Sequence, residues 1–258
     1  MHPILFEIGG WPVYSYGVLL AAAYLAGLQL AVVRARRAGL DAARVMDLGI
    51  YLIIAALVGA KLMLVVVDFD YFTANPRELL SLARAGGVFY GGLIFSLLVG
   101  LWLVRRYRLP VWATADMYAP GIALGHVVGR LGCLLAGCCY GRPTDLPWGI
   151  TFTDPVAAGN VGTPLGTALH PTQLYDAGAE LLILAVLLVF ERRGRPFPGR
   201  TFWLYMLLYA ISRLIIEMFR GDARGTIGGI ATSQFVSLLL LPIALVMLLR
   251  LRQRGSAK

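Results

Sequence analysis

Runs of apolar residues, each near twenty positions long, recur from one end of the chain to the other, separated by short polar or basic segments. A helix needs about 20 mostly apolar residues to cross a bilayer. On that measure the pattern predicts seven spans, at roughly 14–33, 47–67, 87–104, 113–135, 173–190, 201–219 and 230–249. The expected fold is an all-α integral membrane protein, with residues 1–258 forming a single polytopic membrane domain. The opening Met1-His2-Pro3-Ile4-Leu5-Phe6-Glu7 has no basic stretch and no small-residue cleavage site, so the first span is expected to stay.

Basic residues set the expected orientation. Arg34, Arg36, Arg37 and Arg44 follow the first span. Arg105, Arg106 and Arg108 follow the third, and Arg192, Arg193, Arg195 and Arg200 the fifth. Arg250, Arg252, Arg254 and Lys258 close the chain. These are 15 of the 23 basic residues, and seven spans place all four clusters on one side. Positive-inside bias makes that side cytoplasmic, with the N-terminus extracytoplasmic and the C-terminus cytoplasmic. The opposite side carries the longer connections 68–86 and 136–172. The second contains Pro143, Pro147, Pro155 and Pro164 and reads as a small extracytoplasmic cap built from turns.

Composition sharpens this picture. Hydrophobic residues make up 59% of the 258 and charged residues 14%, against about 25% charged in a soluble domain. The net charge of +9 sits in the inter-span clusters, which argues for topology and against a nucleic-acid partner. No internal repeat is evident, which weakens a transporter reading.

Ionisable residues inside the spans carry the candidate chemistry. In the sixth span Tyr209, Arg213, Glu217 and Arg220 fall within about 80° of one helical face. A charge inside a span costs several kcal/mol unless it faces protein or water, so this stripe faces the bundle interior. An Arg213–Glu217 pair locking two helices is the plain alternative to a site. Arg130, near the outer end of the fourth span, adds a second guanidinium at similar depth. Two such groups on different helices suit an anionic head group, because guanidinium binds phosphate oxygens as a fork.

Tyr90 stands among Gly86, Gly87, Gly91 and Gly92 at the start of the third span, in an open or a closely packed setting. His170 and Gln173 flank Pro171 at the start of the fifth. Cys133, Cys138 and Cys139 lie within seven residues, with His126 on the same helical face as Cys133. Cys-x4-Cys-Cys is not a standard zinc spacing, and no metal is expected.

Several motifs resemble bacterial prolipoprotein diacylglyceryl transferases. They are Gly129-Arg130-x-Gly132, His170-Pro-Thr-Gln-Leu-Tyr175 and Tyr209…Arg213…Glu217-x-x-Arg220. Tyr16-Gly17, Gly59-Ala60-Lys61, Gly91-Gly92-Leu93-Ile94 and Asp116 match the same pattern, in the same order. The resemblance implies transfer of a diacylglyceryl group from phosphatidylglycerol to the lipobox cysteine of prolipoprotein signal peptides. The products are a thioether and glycerol phosphate, no cofactor is involved, and the setting is the bacterial cytoplasmic (inner) membrane.

It also implies site roles. Arg130, Arg213, Tyr90 and Glu217 would be catalytic, with Arg130, Tyr16, Tyr209, His170, Gln173 and Arg220 binding substrate. Many family members have histidine where this chain has Tyr90. Others have Asn and Glu where it has Cys133 and Cys138, so the match is to a cysteine-rich variant. An unperturbed tyrosine, with a pKa of about 10, is a poor base for a thiol. His126 and His170 are further candidates for the base, and a thiol near two arginines ionises readily without one. The competing functions are an anion or lipid transporter using the same arginines, and a membrane thiol or metal protein.

Overall fold

A computed structural model describes residues 1–83, 86–194, 197–222 and 225–256. Arg195 and Lys258, counted among the basic residues above, lie outside the described residues. A short hairpin, β1 (Ile4–Ile8) with β2 (Trp11–Tyr14), leads into α1 (Ser15–Arg37) and α2 (Ala42–Val67). Then come α3 (Phe69–Ala74), a 3-10 helix (Pro76–Ala83), α4 (Phe89–Arg106) and α5 (Val111–Ala136). The long connection after α5 holds β3 (Ile150–Thr151), α6 (Pro155–Val161) and β4 (Ala168–Leu169), with β3 and β4 antiparallel. The chain continues through α7 (Thr172–Arg192), α8 (Arg200–Glu217), the hairpin β5 (Thr226–Ile227) with β6 (Ile230–Ala231), and α9 (Thr232–Ser256).

Six of these helices, α1, α2, α4, α5, α7 and α9, are long and apolar enough to cross a membrane. Leu25, Val66, Leu182 and Leu239 are among the many large apolar side chains on their outer faces. An exterior of that kind suits lipid. The protein is an all-α integral membrane protein, with three two-stranded sheets among the described residues. The sixth expected span is α8. It has 18 residues, but Arg200, Arg213 and Glu217 keep it from meeting the same apolar standard. The connection after α2, expected as a loop, is largely α3 and the 3-10 helix.

The chain forms two compact units, residues 1–31 with 115–258, and residues 32–114. In the second unit α2 and α4 lie backbone to backbone. A Cβ added at Gly59 would come 2.6 Å from the carbonyl oxygen of Gly91, and one at Gly92 would come 2.7 Å from that of Ala56. Small residues let helices approach this closely where no hydrophobic force drives them together. Tyr90 sits in the first turn of α4, its ring edge-on to Phe89. Gly87, Gly91 and Gly92 are therefore packing residues, while a Cβ at Gly86 would meet nothing within 4 Å.

In the first unit Ala119, Ala123, Ile183, Leu184, Leu187 and Tyr205 form the apolar core between α5, α7 and α8. Asp116, buried on α5, fixes the start of α8. Its two carboxylate oxygens accept from the backbone N–H of Gly199 (2.7 Å) and of Phe202 (2.9 Å). Gly199 has no side chain to cap the helix itself, so Asp116 supplies the acceptor that the first-turn N–H groups need.

Candidate active site

The site is built from the buried faces of α5, α7 and α8. On α7 the buried positions run Gln173, Asp176, Ala177, Glu180, Ile183, Leu184 and Leu187. One stripe is thus polar over its first turns and apolar beyond. Asp176 is the meeting point. Its Oδ2 lies 3.2 Å from Arg130 Nε, 3.5 Å from Arg213 Nη1 and 3.5 Å from Arg220 Nη1. One turn apart on α8, Arg213 also pairs with Glu217 at 2.5 Å, and both are buried. The ion pair foreseen as an alternative to a site is therefore present within the larger cluster.

Arg220 was expected on the α8 face, but the helix ends at Glu217. The chain tightens there, with Phe219 N bonding Ile216 O and Arg220 N bonding Glu217 O. Arg220 then enters an antiparallel bridge with Gly141. From that position its guanidinium forks Asp222 through two 2.9 Å hydrogen bonds and still faces Asp176. Burial outweighs the Arg220 charge at Asp222 and holds this carboxyl above its ordinary pKa.

Three guanidiniums and three carboxylates balance here, yet the hydrogen bonding does not close. Among the described residues Arg213 Nη1, Arg220 Nη1, Asp176 Oδ2 and Gln173 Oε1 are buried atoms without a hydrogen-bond partner. Buried polar atoms are normally satisfied, so two guanidinium donors held this way are suited to an anionic oxygen.

A second polar chain adjoins the first. His126 Nδ1 lies 2.8 Å from Glu180 Oε1 and 3.0 Å from the Tyr205 hydroxyl. The Tyr209 ring packs 5.7 Å from His126 and 6.0 Å from Tyr205.

The thiols form a third group. Beyond the end of α5 the backbone turns left-handed at Gly137 (φ 81°) and again at Cys139 (φ 64°). That path brings the Sγ atoms of Cys133, Cys138 and Cys139 within 4.8 Å of one another. Gln173 Nε2 donates to the Cys138 carbonyl and Thr172 Oγ1 to the Cys139 carbonyl, each at 2.7 Å. Tyr16 reaches this region from α1, packing over Gly132.

Of the residues singled out in the sequence, Arg130, Arg213, Glu217, Arg220, Gln173, Tyr209 and Tyr16 all belong to this first unit. So does His170, but it lies within a ring cluster of the connection after α5. Its Nδ1 is 3.1 Å from the Tyr175 hydroxyl, which also accepts from Trp148 Nε1 at 2.8 Å, and its ring meets Phe219. Gln173 spends its amide on a carbonyl of the thiol loop. Tyr90 belongs to the second unit. His126 pairs with Glu180, while Cys133 groups with Cys138 and Cys139.

Asp176, Glu180, Tyr205 and Asp222 were not anticipated as site residues. The polar spacing of Gln173, Asp176 and Glu180 carried the signal, because buried arginines on one helix require acids on a neighbour.

Comparison with known proteins identifies the family. The family model for prolipoprotein diacylglyceryl transferase matches residues 3–250. A phosphatidylglycerol–prolipoprotein diacylglyceryl transferase of Clostridium tetani (strain Massachusetts / E88) is 37% identical over 92% of this chain and 93% of its own. A second, from Clostridium perfringens (strain 13 / Type A), is 31% identical over 93% and 92%. A third, from Finegoldia magna (strain ATCC 29328 / DSM 20472 / WAL 2508), is 28% identical over 98% and 97%. With a family match over almost its whole length, and relatives aligned from end to end, the chain belongs to the prolipoprotein diacylglyceryl transferase family.

Proposed function

We propose that this protein transfers the diacylglyceryl group of phosphatidylglycerol to the lipobox cysteine of prolipoproteins, as the first step of bacterial lipoprotein maturation. The setting is the bacterial cytoplasmic membrane. The chain crosses it seven times as one polytopic domain, α8 being the additional span, with the N-terminus extracytoplasmic and the C-terminus cytoplasmic. The connection after α5 is then an extracytoplasmic cap, on the side where an exported signal peptide emerges.

One observation carries the chemistry. Arg130, Arg213 and Arg220 converge on a single carboxylate oxygen, and two of them hold buried donors without a hydrogen bond. The phosphate of the lipid takes those donors. Sulfur of the acceptor thiolate attacks the glycerol carbon that bears the phosphate. A carbon–sulfur bond forms, the carbon–oxygen bond breaks, and glycerol phosphate leaves with the electron pair. A phosphodiester with one charge becomes a monoester approaching two. Donors placed around the phosphate therefore bind the departing group more tightly than the intact lipid, which lowers the barrier.

Glu217 holds Arg213 in place, and Tyr209, Tyr16, Gln173 and His170 shape the donor and acceptor sites around it. The catalytic role that the resemblance implies for Tyr90 is part of this proposal. The test is a purified assay with phosphatidylglycerol and a lipobox peptide, which should yield lipidated peptide. Full activity of both Arg130→Ala and Arg213→Ala would sink the phosphate role. Anion flux into vesicles without lipid turnover would assign a transporter instead.

A further inference from the structure

Cys133, Cys138 and Cys139 are more than neighbours in sequence. Cys133 is on the last turns of α5, and a Cys-x4-Cys-Cys spacing alone would not gather all three sulfurs. The left-handed turn at Cys139 does so. A non-glycine residue adopts that conformation at a cost, and such strain persists where the surroundings hold it. Here Thr172 and Gln173, both fully buried, hold the carbonyls of Cys139 and Cys138. Gln173 Oε1 remains a buried acceptor without a hydrogen bond. The Sγ atoms lie within 4.8 Å of one another. Tetrahedral zinc, with bonds of about 2.3 Å, puts sulfurs roughly 3.8 Å apart. The difference is at most about 1 Å. Three thiolates around a dication carry one net negative charge.

We propose that Cys133, Cys138 and Cys139 form a three-thiolate site for a soft divalent ion, zinc foremost, whose fourth position takes the acceptor thiol. A set of three protein ligands with an open position is the pattern of reactive zinc sites, and sulfur ligands select soft metals. The acceptor role rests on the transferase reading above. On binding, the acceptor thiol would give its proton to bulk water and bind as the thiolate. Its sulfur then displaces the phosphate oxygen from the glycerol carbon. The neutral thioether is a poor ligand and leaves, and the metal is neither oxidised nor reduced. Such a site makes a strong base unnecessary.

The test uses the full chain, purified in detergent under reducing conditions. It should retain about one zinc per chain through dialysis, as a three-thiolate site holds metal tightly, and Cys138→Ser should lose it. Cobalt exchanged into the unaltered protein reads the ligands without any variant, and should show a thiolate-to-cobalt charge-transfer band. A lipobox peptide with its cysteine should shift the cobalt ligand-field bands, and the same peptide with serine should not. A chain that takes up neither zinc nor cobalt at micromolar concentrations, or that titrates as one free thiol instead of three, overturns the site. A cobalt spectrum unmoved by the cysteine peptide overturns the acceptor role. A spectrum that shifts, without any lipidated product, upholds the metal site and overturns the transferase reading.

Discussion

Asp176 Oδ2 lies 3.2 Å from Arg130 Nε and so ties α7 to α5 at the depth of the charged stripe. The same oxygen faces Arg213 and Arg220. Three cations therefore share one anion, and removing it leaves buried positive charge uncompensated. Asp176→Ala should destabilise the protein by about 3–5 kcal/mol, the usual cost of breaking a buried pair from one side. Added glycerol phosphate should restore part of the loss, since its oxygens can take the vacated position. Thermal unfolding in detergent, with and without that ligand, reads both effects.

Arg213 should matter to the chemical step as well as to stability, since it is half of a buried ion pair. Arg213→Ala should lower kcat by about 100- to 1000-fold, the range for losing one donor to a developing anion. Arg213→Lys should recover only part of this, because an ammonium keeps the charge and loses the fork. Single-turnover transfer with saturating phosphatidylglycerol separates this from weaker lipid binding.

Asp116 should act on stability without touching the reaction. Asp116→Ala removes the acceptor for two backbone N–H groups at the start of α8, at a cost of about 2 kcal/mol. Unfolding should begin at a lower temperature, while kcat of the folded fraction should stay near the parent value.

Asp222 has a signed pH dependence. Its pKa is raised by burial, so the folded chain takes up this proton at a higher pH than the unfolded chain. The ionised carboxylate therefore costs stability above its folded pKa, and the cost fades as pH falls through it. Asp222→Asn should be at least as stable as the parent at neutral pH. Its advantage should shrink towards acidic pH, as measured by unfolding across the carboxylate range.

Helix existence was legible in the sequence because span length and basic clustering report on the bilayer directly. The charged stripe on α8 was legible for the same reason, since Arg213 and Glu217 stand out among apolar neighbours. The partners were harder. Asp176 and Glu180 are ordinary residues at the start of a span, and only tertiary packing turns them towards α5 and α8. Arg220 looked helical because its spacing continued the stripe, but the backbone leaves the helix after Glu217 to bridge Gly141. The gathering of the thiols depends on one left-handed residue, Cys139, a conformation that side-chain spacing does not reveal.

The charges of α8 bear on how the chain is made. An 18-residue helix is about 27 Å long, enough to cross most of the hydrocarbon core. Left by itself among lipids, it would expose Arg213 and Glu217. Its acid partner Asp176 and its cap Asp116 lie on α7 and α5, and both precede it in the chain. When α8 leaves the ribosome, the groups that make it tolerable in a bilayer have already been synthesised. On the seven-span reading proposed above, membrane insertion of this helix is a docking event, and the order of the gene supplies the dock first.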